Sequence, residues 1–161
     1  MKLKSSILFF LTLILFASCD KKRVFDEYKS VGNTWNKNNS ISFNLPKLET
    51  SKPYNLFLNI RNNNEYPFSN LFLKVSLENP DGLVKVDTLE YQMANPDGSL
   101  LGEGFSEVKE NKLFYKENVK FDKKGIYKIQ IQQAVRQSGK VSGLKELKGI
   151  TEVGFRIEST N

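Results

Sequence analysis

Five carboxylates lie close together in the middle of the sequence, and side chains of this type can bind metal ions or catalyse hydrolysis. They are Asp81, Asp87, Glu90, Asp97 and Glu103. Carboxylates and loop carbonyls together can bind calcium, which takes about six to eight oxygen ligands, and paired carboxylates can hydrolyse glycosides. Their spacing matches no EF-hand loop, however, and Asp residues in turns usually hydrogen-bond the nearby backbone. We therefore expect neither a metal site nor catalysis from them.

The lack of histidine narrows the possible chemistry further. With a single cysteine as well, the chain has no residues for a Ser-His-Asp triad, a Cys-His nucleophile or a Cys/His zinc site. The formal charge is +6, but most of the basic residues are lysines spread along the chain. Because no Arg-rich block accompanies them, we expect no nucleic-acid partner. We also expect no cofactor.

Cys19 is the one residue for which the sequence predicts covalent chemistry. Two lysines precede an apolar run over residues 7–16, and Ala17-Ser18 comes directly before the cysteine. This order is typical of a bacterial lipoprotein signal, in which the thiol is acylated and the signal is cut just before it. The apolar run is too short for the roughly 20 residues that a bilayer-spanning helix needs. We therefore predict a signal peptide at 1–18 and a lipid anchor on Cys19.

The residues directly after Cys19 help to predict on which side of the membrane the anchored protein lies. Asp20-Lys21-Lys22-Arg23 is mainly basic. Bacteria that move lipoproteins to the outer surface usually mark them with an acidic patch at this place. Its absence favours a periplasm-facing position, although the acidic residues Asp26 and Glu27 follow a few positions on. We predict a lipid-anchored protein of the cell envelope, on the outer membrane and facing the periplasm.

Apolar residues alternate with polar ones along most of the remaining chain. Leu56, Leu58 and Ile60 follow this pattern, and the same period of two recurs near residues 71–77, 127–131 and 153–157. Alternation places successive side chains on opposite faces of a strand, so these segments are predicted to be half-buried antiparallel strands.

Turn residues separate the predicted strands. Asn79-Pro80-Asp81-Gly82 recurs as Asn95-Pro96-Asp97-Gly98, and both segments have the Pro and Gly that a tight turn favours. Seven to eight strands in this length predict an all-β fold, an antiparallel β-sandwich of the Ig-like or jelly-roll-like kind. We expect the sandwich domain at 40–161, and the lipid anchor, a linker and a possible first strand at 19–39.

Aromatic side chains outside the leucine rows are candidates for binding. Phe57 and Phe72 lie on the opposite face of their strands, and five others lie near strand ends or loops: Trp35, Tyr54, Tyr66, Phe68 and Tyr91. Burial against the other sheet is one interpretation. The alternatives are a protein–protein surface, where aromatic residues and arginine dominate the binding energy, and a platform on which sugar rings stack, with Trp35 or Tyr66 as the stacking residue.

Polar residues near these aromatics complete the predicted binding set. Arg61 and Arg136 either contact a partner or pair with Asp87 or Glu90 to stabilise the fold. We predict six residues as partner contacts: Arg61, Tyr66, Asn70, Asp87, Glu90 and Arg136.

Several longer strings go beyond generic strand patterning. They are YNLFLNIRN at 54–62, YPFSNLFL at 66–73, DTLE at 87–90, Met93-Ala94, GSLLGEG at 98–104, GIY at 125–127, QAVR at 133–136 and residues 149–157. In this order, and together with the signal before Cys19, the chain resembles the gliding-motility lipoprotein GldH family of the Bacteroidota. The resemblance covers about residues 19–158. Leu101 departs from it, because an aromatic residue is expected before the glycine.

The resemblance implies a function that composition and periodicity do not. It implies a non-enzymatic lipoprotein needed for gliding, with other gliding-motility lipoproteins and envelope proteins of the machinery tied to type IX secretion as partners. The alternatives are a carbohydrate-binding β-sandwich lipoprotein at the cell envelope and a periplasmic hydrolase that uses carboxylates.

Overall fold

The computed structural model of the chain describes residues 20–104, 107–136 and 142–160. The predicted signal peptide and Cys19 lie outside the described residues. The described part of the chain forms ten strands and no helix. The strands are β1 Arg23–Ser30, β2 Thr34–Asn36, β3 Ile41–Asn44, β4 Pro53–Asn62, β5 Asn70–Glu78, β6 Val84–Gln92, β7 Lys109–Lys120, β8 Lys128–Gln133, β9 Glu146–Lys148 and β10 Ile150–Ser159. None of the described segments contains a helix of the length and apolarity that a membrane crossing requires.

Eight of the strands form two facing antiparallel sheets. The first sheet has the order β1-β10-β4-β7 and the second has the order β3-β8-β5-β6. This order, with the chain passing repeatedly between two four-stranded sheets, is that of a jelly roll. The prediction of an all-β antiparallel sandwich is therefore confirmed, and of the two predicted kinds the structure has the jelly roll. Ten strands appear instead of seven or eight because β2 and β9 are only three residues long, too short to show alternation in the sequence.

The alternating apolar residues form the core between the two sheets. Leu56, Leu58 and Ile60 of β4 are fully buried, as are Leu71 and Leu73 of β5 in the facing sheet. Burying each such side chain contributes about 1.5–3 kcal/mol relative to leaving it exposed. The polar residues between them point to the outer faces, so the sequence pattern determines which side chains a partner can reach.

The duplicated turn has the predicted geometry. Gly82 has φ 82° and Gly98 has φ 85°, the left-handed conformation that glycine adopts without strain. The Gly82 amide donates to the Asn79 carbonyl at 2.9 Å, and the Asn79 side-chain oxygen accepts from the Leu83 amide at 2.9 Å. The turn prediction is confirmed, and the first copy connects β5 to β6.

The segment before residue 40 packs into the sandwich. β1 pairs with β10 along the first sheet, and Phe25 lies in the core. Trp35 of β2 is fully buried, and its ring Nε1 donates to the Asn39 carbonyl at 2.8 Å. The range 19–39, expected to hold the anchor, a linker and a possible first strand, thus contains two strands of the folded body.

Candidate partner-binding site

The outer face of the second sheet brings three of the predicted contact residues together. Asn70 of β5 donates a side-chain hydrogen bond to Glu90 of β6 at 2.7 Å, and Phe72 stands opposite Glu90 in the strand pairing. Arg136 follows β8, where the Ala134 amide donates to the Phe72 carbonyl at 2.8 Å. The sheet order β8-β5-β6 therefore places Arg136 beside Phe72, although 64 positions separate them in the sequence.

A shallow depression of about 470 Å³ lies at this place, lined by Phe72, Lys74, Thr88, Ala134 and Arg136. We call it the Phe72–Arg136 surface. Arg136 is exposed, and its guanidinium forms no ion pair with any residue of the described segments. The floor of this surface is apolar, and the two cations Lys74 and Arg136 lie at its rim. Such a surface is suited to an apolar side chain of a partner that adjoins a carboxylate.

A second depression of about 490 Å³ adjoins the Phe72–Arg136 surface. Its lining is mostly polar and consists of Ser69, Asn70, Glu90, Gln92, Ala94, Asn95 and Pro96. The Asn70–Glu90 hydrogen bond lies in this lining, next to Phe72. The two depressions therefore form one continuous region on the outer face of the second sheet.

Arg61 lies on the outer face of the opposite sheet and is engaged within the protein. Its Nε donates to Glu110 at 2.9 Å, its Nη1 donates to Glu152 at 2.6 Å, and its guanidinium stacks 4.3 Å from the centre of the Tyr28 ring. Hydrogen bonds to Glu152 and Glu110 raise the pKa of Arg61, against the opposing effect of partial burial. Arg61 therefore links β4 to β7 and β10, and the predicted pairing of Arg61 with Asp87 or Glu90 is wrong.

Asp87 and Tyr66 also have partners inside the fold. Hydrogen bonds from Lys116 and from the Tyr115 hydroxyl hold the pKa of Asp87 below its ordinary value, and this contact joins β6 to β7 at the edge of the sandwich. Tyr66 is only 4% exposed, and its hydroxyl donates to the Asn70 carbonyl at 2.7 Å. The prediction of Tyr66 as a contact residue is corrected by this burial, because a partner cannot reach its ring.

The aromatic residues named for sugar stacking are buried as well. Trp35 is fully buried and Tyr66 is 4% exposed, so neither offers a ring face to a pyranose. Phe57 is partly covered, because Phe114 packs edge-on against it at 6.0 Å and the Lys112 ammonium lies 4.1 Å from its ring centre. Phe114 is 52% exposed. The sequence analysis missed it, although alternation with Leu113 and Tyr115 points it outward.

The five carboxylates do not converge on a common site. Asp81 pairs with Lys123, while Asp97 accepts hydrogen bonds from the amide and hydroxyl of Ser99, which lower its pKa. In the part of the chain that the structure describes, no group of three or more metal-ligating side chains is arranged to hold a metal ion. Asp81 and Asp97 lie in the duplicated turns, whereas Asp87 and Glu90 lie in β6.

A sequence profile described as "GldH lipoprotein" matches residues 23–157. The chain belongs to the GldH lipoprotein family. It is 62% identical over 158 residues to the gliding motility lipoprotein GldH of Flavobacterium johnsoniae, and the match covers 98% of each chain. It is 55% identical over 157 residues to the gliding motility lipoprotein GldH homolog of Christiangramia forsetii, covering 98% of this chain and 96% of that one.

Solved structures resemble this GldH-family chain in architecture only. A family GH115 4-O-methyl-alpha-glucuronidase superposes with a TM-score of 0.45 at 14% identity, over 89% of this chain and 18% of that one. The VP2 subviral particle of infectious bursal disease virus superposes with a TM-score of 0.39 at 12% identity, over 87% of this chain and 34% of that one. The chain thus spans about a third or less of either structure.

Membership in the GldH family confirms the predicted resemblance. It identifies the chain as a lipoprotein of gliding motility, anchored at the cell envelope. The surfaces described above are therefore surfaces of an envelope protein. The outer face of the second sheet is the one on which predicted contact residues converge.

Proposed function

We propose that this GldH-family chain is a non-catalytic docking component of the gliding machinery linked to type IX secretion. An acyl group on Cys19 holds it on the outer membrane, facing the periplasm. Its partners are other gliding-motility lipoproteins and envelope proteins. Residues 1–18 are the signal peptide, and the folded domain begins at β1 rather than at residue 40, because β1 and β2 supply Phe25 and Trp35 to the core.

The Phe72–Arg136 surface is the observation that supports docking. Its charged residues Lys74 and Arg136 are exposed and unpaired within the described segments, whereas Arg61 and Asp87 each have partners inside the fold. Aromatic residues and arginine in a depression are typical of the centres of protein interfaces. A partner that inserts an apolar side chain beside a carboxylate gains both burial and a charge-assisted hydrogen bond there.

Photo-crosslinking in intact cells tests this surface directly. A benzophenone amino acid at Phe72 is expected to crosslink to envelope proteins, whereas the same group at Phe114 is not. Phe114 is the matched control because it is an exposed phenylalanine on the outer face of the other sheet. The double variant Phe72→Ala with Arg136→Ala is expected to weaken co-purification with those partners by at least about tenfold, since interface hot spots each contribute about 2 kcal/mol or more.

Two further measurements accompany the co-purification of the double variant: its level in the cell and the spreading of the colonies that produce it. The double variant should accumulate to normal levels and fail to restore spreading to a strain that lacks the gene. Equal crosslinking from Phe72 and Phe114, or normal spreading by the double variant, contradicts docking at this surface.

The anchor is tested separately with a palmitate analogue. Wild-type protein is expected to incorporate the analogue, and Cys19→Ser is expected to incorporate none, because Cys19 is the only cysteine of the chain. A substituted protein that still takes up the analogue contradicts acylation at this position. The Phe72→Ala single variant is the control, with labelling equal to wild type.

A further inference from the structure

The folded body begins immediately after the predicted acylated cysteine. The Arg23 amide donates to the Asp20 carbonyl at 3.2 Å, and the Ser159 amide donates to the Lys22 carbonyl at 2.8 Å. The Arg156 guanidinium binds the Asp20 carboxylate. Because Asp20 follows Cys19 directly, no free linker separates the anchor from the sandwich.

Three loops lie at the same end of the sandwich as Asp20. They are the β3–β4 loop at 45–52, the β5–β6 turn at 79–83 and the β7–β8 loop at 121–127. Phe121 packs against Tyr54 at 6.0 Å and against Tyr127 at 4.8 Å, which joins the two sheets at this end. We call the surface formed by residues 20–23 and these loops the anchor end.

Two exposed aliphatic side chains project from the loops of the anchor end. Ile126 is 68% exposed and Leu83 is 60% exposed, the highest values among the large hydrophobic residues of the described segments. Their loops touch, because a Cβ atom on Gly125 would lie 2.7 Å from the Pro80 ring. Two aliphatic side chains at adjoining loop tips are suited to insertion into the headgroup layer of a bilayer.

The charge of the anchor end is strongly positive. Six exposed cations at this end, with Lys120 at the last position of β7 included, form no ion pair with another residue of the described ranges: Lys21, Lys22, Arg23, Lys47, Lys120 and Lys124. Of the four carboxylates at the same end, three are neutralised by internal partners, while Asp122 accepts a hydrogen bond from the Tyr127 hydroxyl and forms no ion pair within the described ranges. Asp20 pairs with Arg156, Glu49 pairs with Lys52, and Asp81 pairs with Lys123. The unpaired charges are complementary to anionic phospholipid.

We propose that the anchor end lies directly on an anionic membrane surface, with Ile126 and Leu83 in the headgroup layer. This proposal rests on the proposed acylation of Cys19. Asp20 lies at the β1 edge of the first sheet and Leu83 at the β6 edge of the second, roughly 17 Å apart from three strand spacings along the sheets and one sheet spacing across. An acyl chain beside Asp20 therefore brings the whole end to the bilayer.

This orientation leaves the partner-binding site accessible. β8 starts at the anchor end with Lys128 and runs away from it, so Arg136 lies about 25 Å further along the strand direction. The Phe72–Arg136 surface therefore lies on the side of the domain, toward the far end of the strands and clear of the membrane. The same fold presents lipid contacts at one end and the proposed protein contacts toward the other.

The experiment measures the depth of single labels in the processed full-length lipoprotein. Ile126→Cys and the control Asn64→Cys, in the β4–β5 loop at the opposite end, each receive a nitrobenzoxadiazole fluorophore after Cys19 is acylated. The proteins are reconstituted into vesicles of phosphatidylethanolamine and phosphatidylglycerol that contain a spin-labelled lipid. We expect quenching at position 126 to be several-fold stronger than at position 64.

A charge variant separates docking from anchoring. Replacing Lys47, Lys120 and Lys124 with Gln is expected to reduce quenching at position 126 to the level at 64, because each lysine near an anionic surface changes the affinity by about fivefold. The variant should still sediment with the vesicles. If the protein with all three lysines shows equal quenching at positions 126 and 64, the docking proposal is overturned, but acylation of Cys19 is not contradicted. Protein that does not sediment with vesicles overturns the anchor as well.

Discussion

Arg156→Ala is expected to lower the free energy of unfolding by about 3–5 kcal/mol, because it removes the cation from a buried ion-pair cluster. The Arg156 side chain is only 13% exposed. Its Nη1 donates to Asp26 at 2.7 Å and its Nε donates to Glu158 at 2.6 Å. Both carboxylates are themselves nearly buried, so the substitution leaves Asp26 without its ion-pair partner and Glu158 with Lys112 alone on the outer face of the first sheet.

The effect of Arg156→Ala should depend on pH. Desolvation raises the pKa of Glu158, but hydrogen bonds from Lys112 and Arg156 outweigh it and hold the pKa below the ordinary value of 4.5. A pKa that is lower in the folded state stabilises the fold above the unfolded-state pKa, and this contribution is lost as the pH falls through the folded-state value. The difference between wild type and Arg156→Ala is therefore largest near neutral pH and decreases below about pH 4.5.

Urea-induced unfolding at several pH values measures both the loss of unfolding free energy and its pH dependence, with the fluorescence of buried Trp35 as the signal. Arg156→Lys keeps the positive charge but lacks the planar guanidinium that binds two carboxylates at once, so we expect a loss of unfolding free energy between those of wild type and Arg156→Ala. Lys116→Ala is the matched control, because its ion pair with Asp87 is about a third exposed on each side and should contribute less than about 1 kcal/mol. Equal losses from Arg156→Ala and Lys116→Ala contradict a buried cluster.

The Arg156 cluster shows which features of the fold could be predicted from the sequence and which could not. Alternation in residues 153–157 correctly predicts that Arg156 points away from the core. Its partners, however, depend on β1 lying beside β10, a pairing of segments 130 positions apart. Local patterns carry no information about which strands become neighbours, so the strands and turns could be predicted and the contacts between strands could not.

The same reason explains the outcome for the candidate site. Asn70, Glu90 and Arg136 lie on one surface because β8, β5 and β6 are adjacent, whereas Arg61 lies on the other sheet. Tyr66 lies in a connection between strands, where no period shows whether a side chain points inward. The chemical types of the contact residues could be read from the sequence, but their grouping required the sheet order.

Trp35→Ala is expected to destabilise the domain by about 3–5 kcal/mol, the usual cost of replacing a large buried aromatic residue with alanine. Trp35 is fully buried, its strand β2 pairs with β9, and its Nε1 hydrogen bond to Asn39 closes the turn before β3. Typical domains have a total stability of about 5–15 kcal/mol, so this loss is a large share of it. The measurement requires far-UV circular dichroism, because the substitution removes the only tryptophan.

Phe114→Ala is the control for Trp35→Ala, because the Phe114 ring is 52% exposed and its removal should cost less than about 1 kcal/mol. Equal costs for the two substitutions would mean that the segment around Trp35 contributes little to the fold, and that the anchor is followed by a flexible tether. A large cost for Trp35→Ala means that β2, and with it the connection between β1 and β3, is part of the rigid body. β1 begins four residues after Cys19, and its pairing with β10 is what fixes the anchor end against the membrane. The Phe72–Arg136 surface then lies toward the far end of the strands, clear of the lipid.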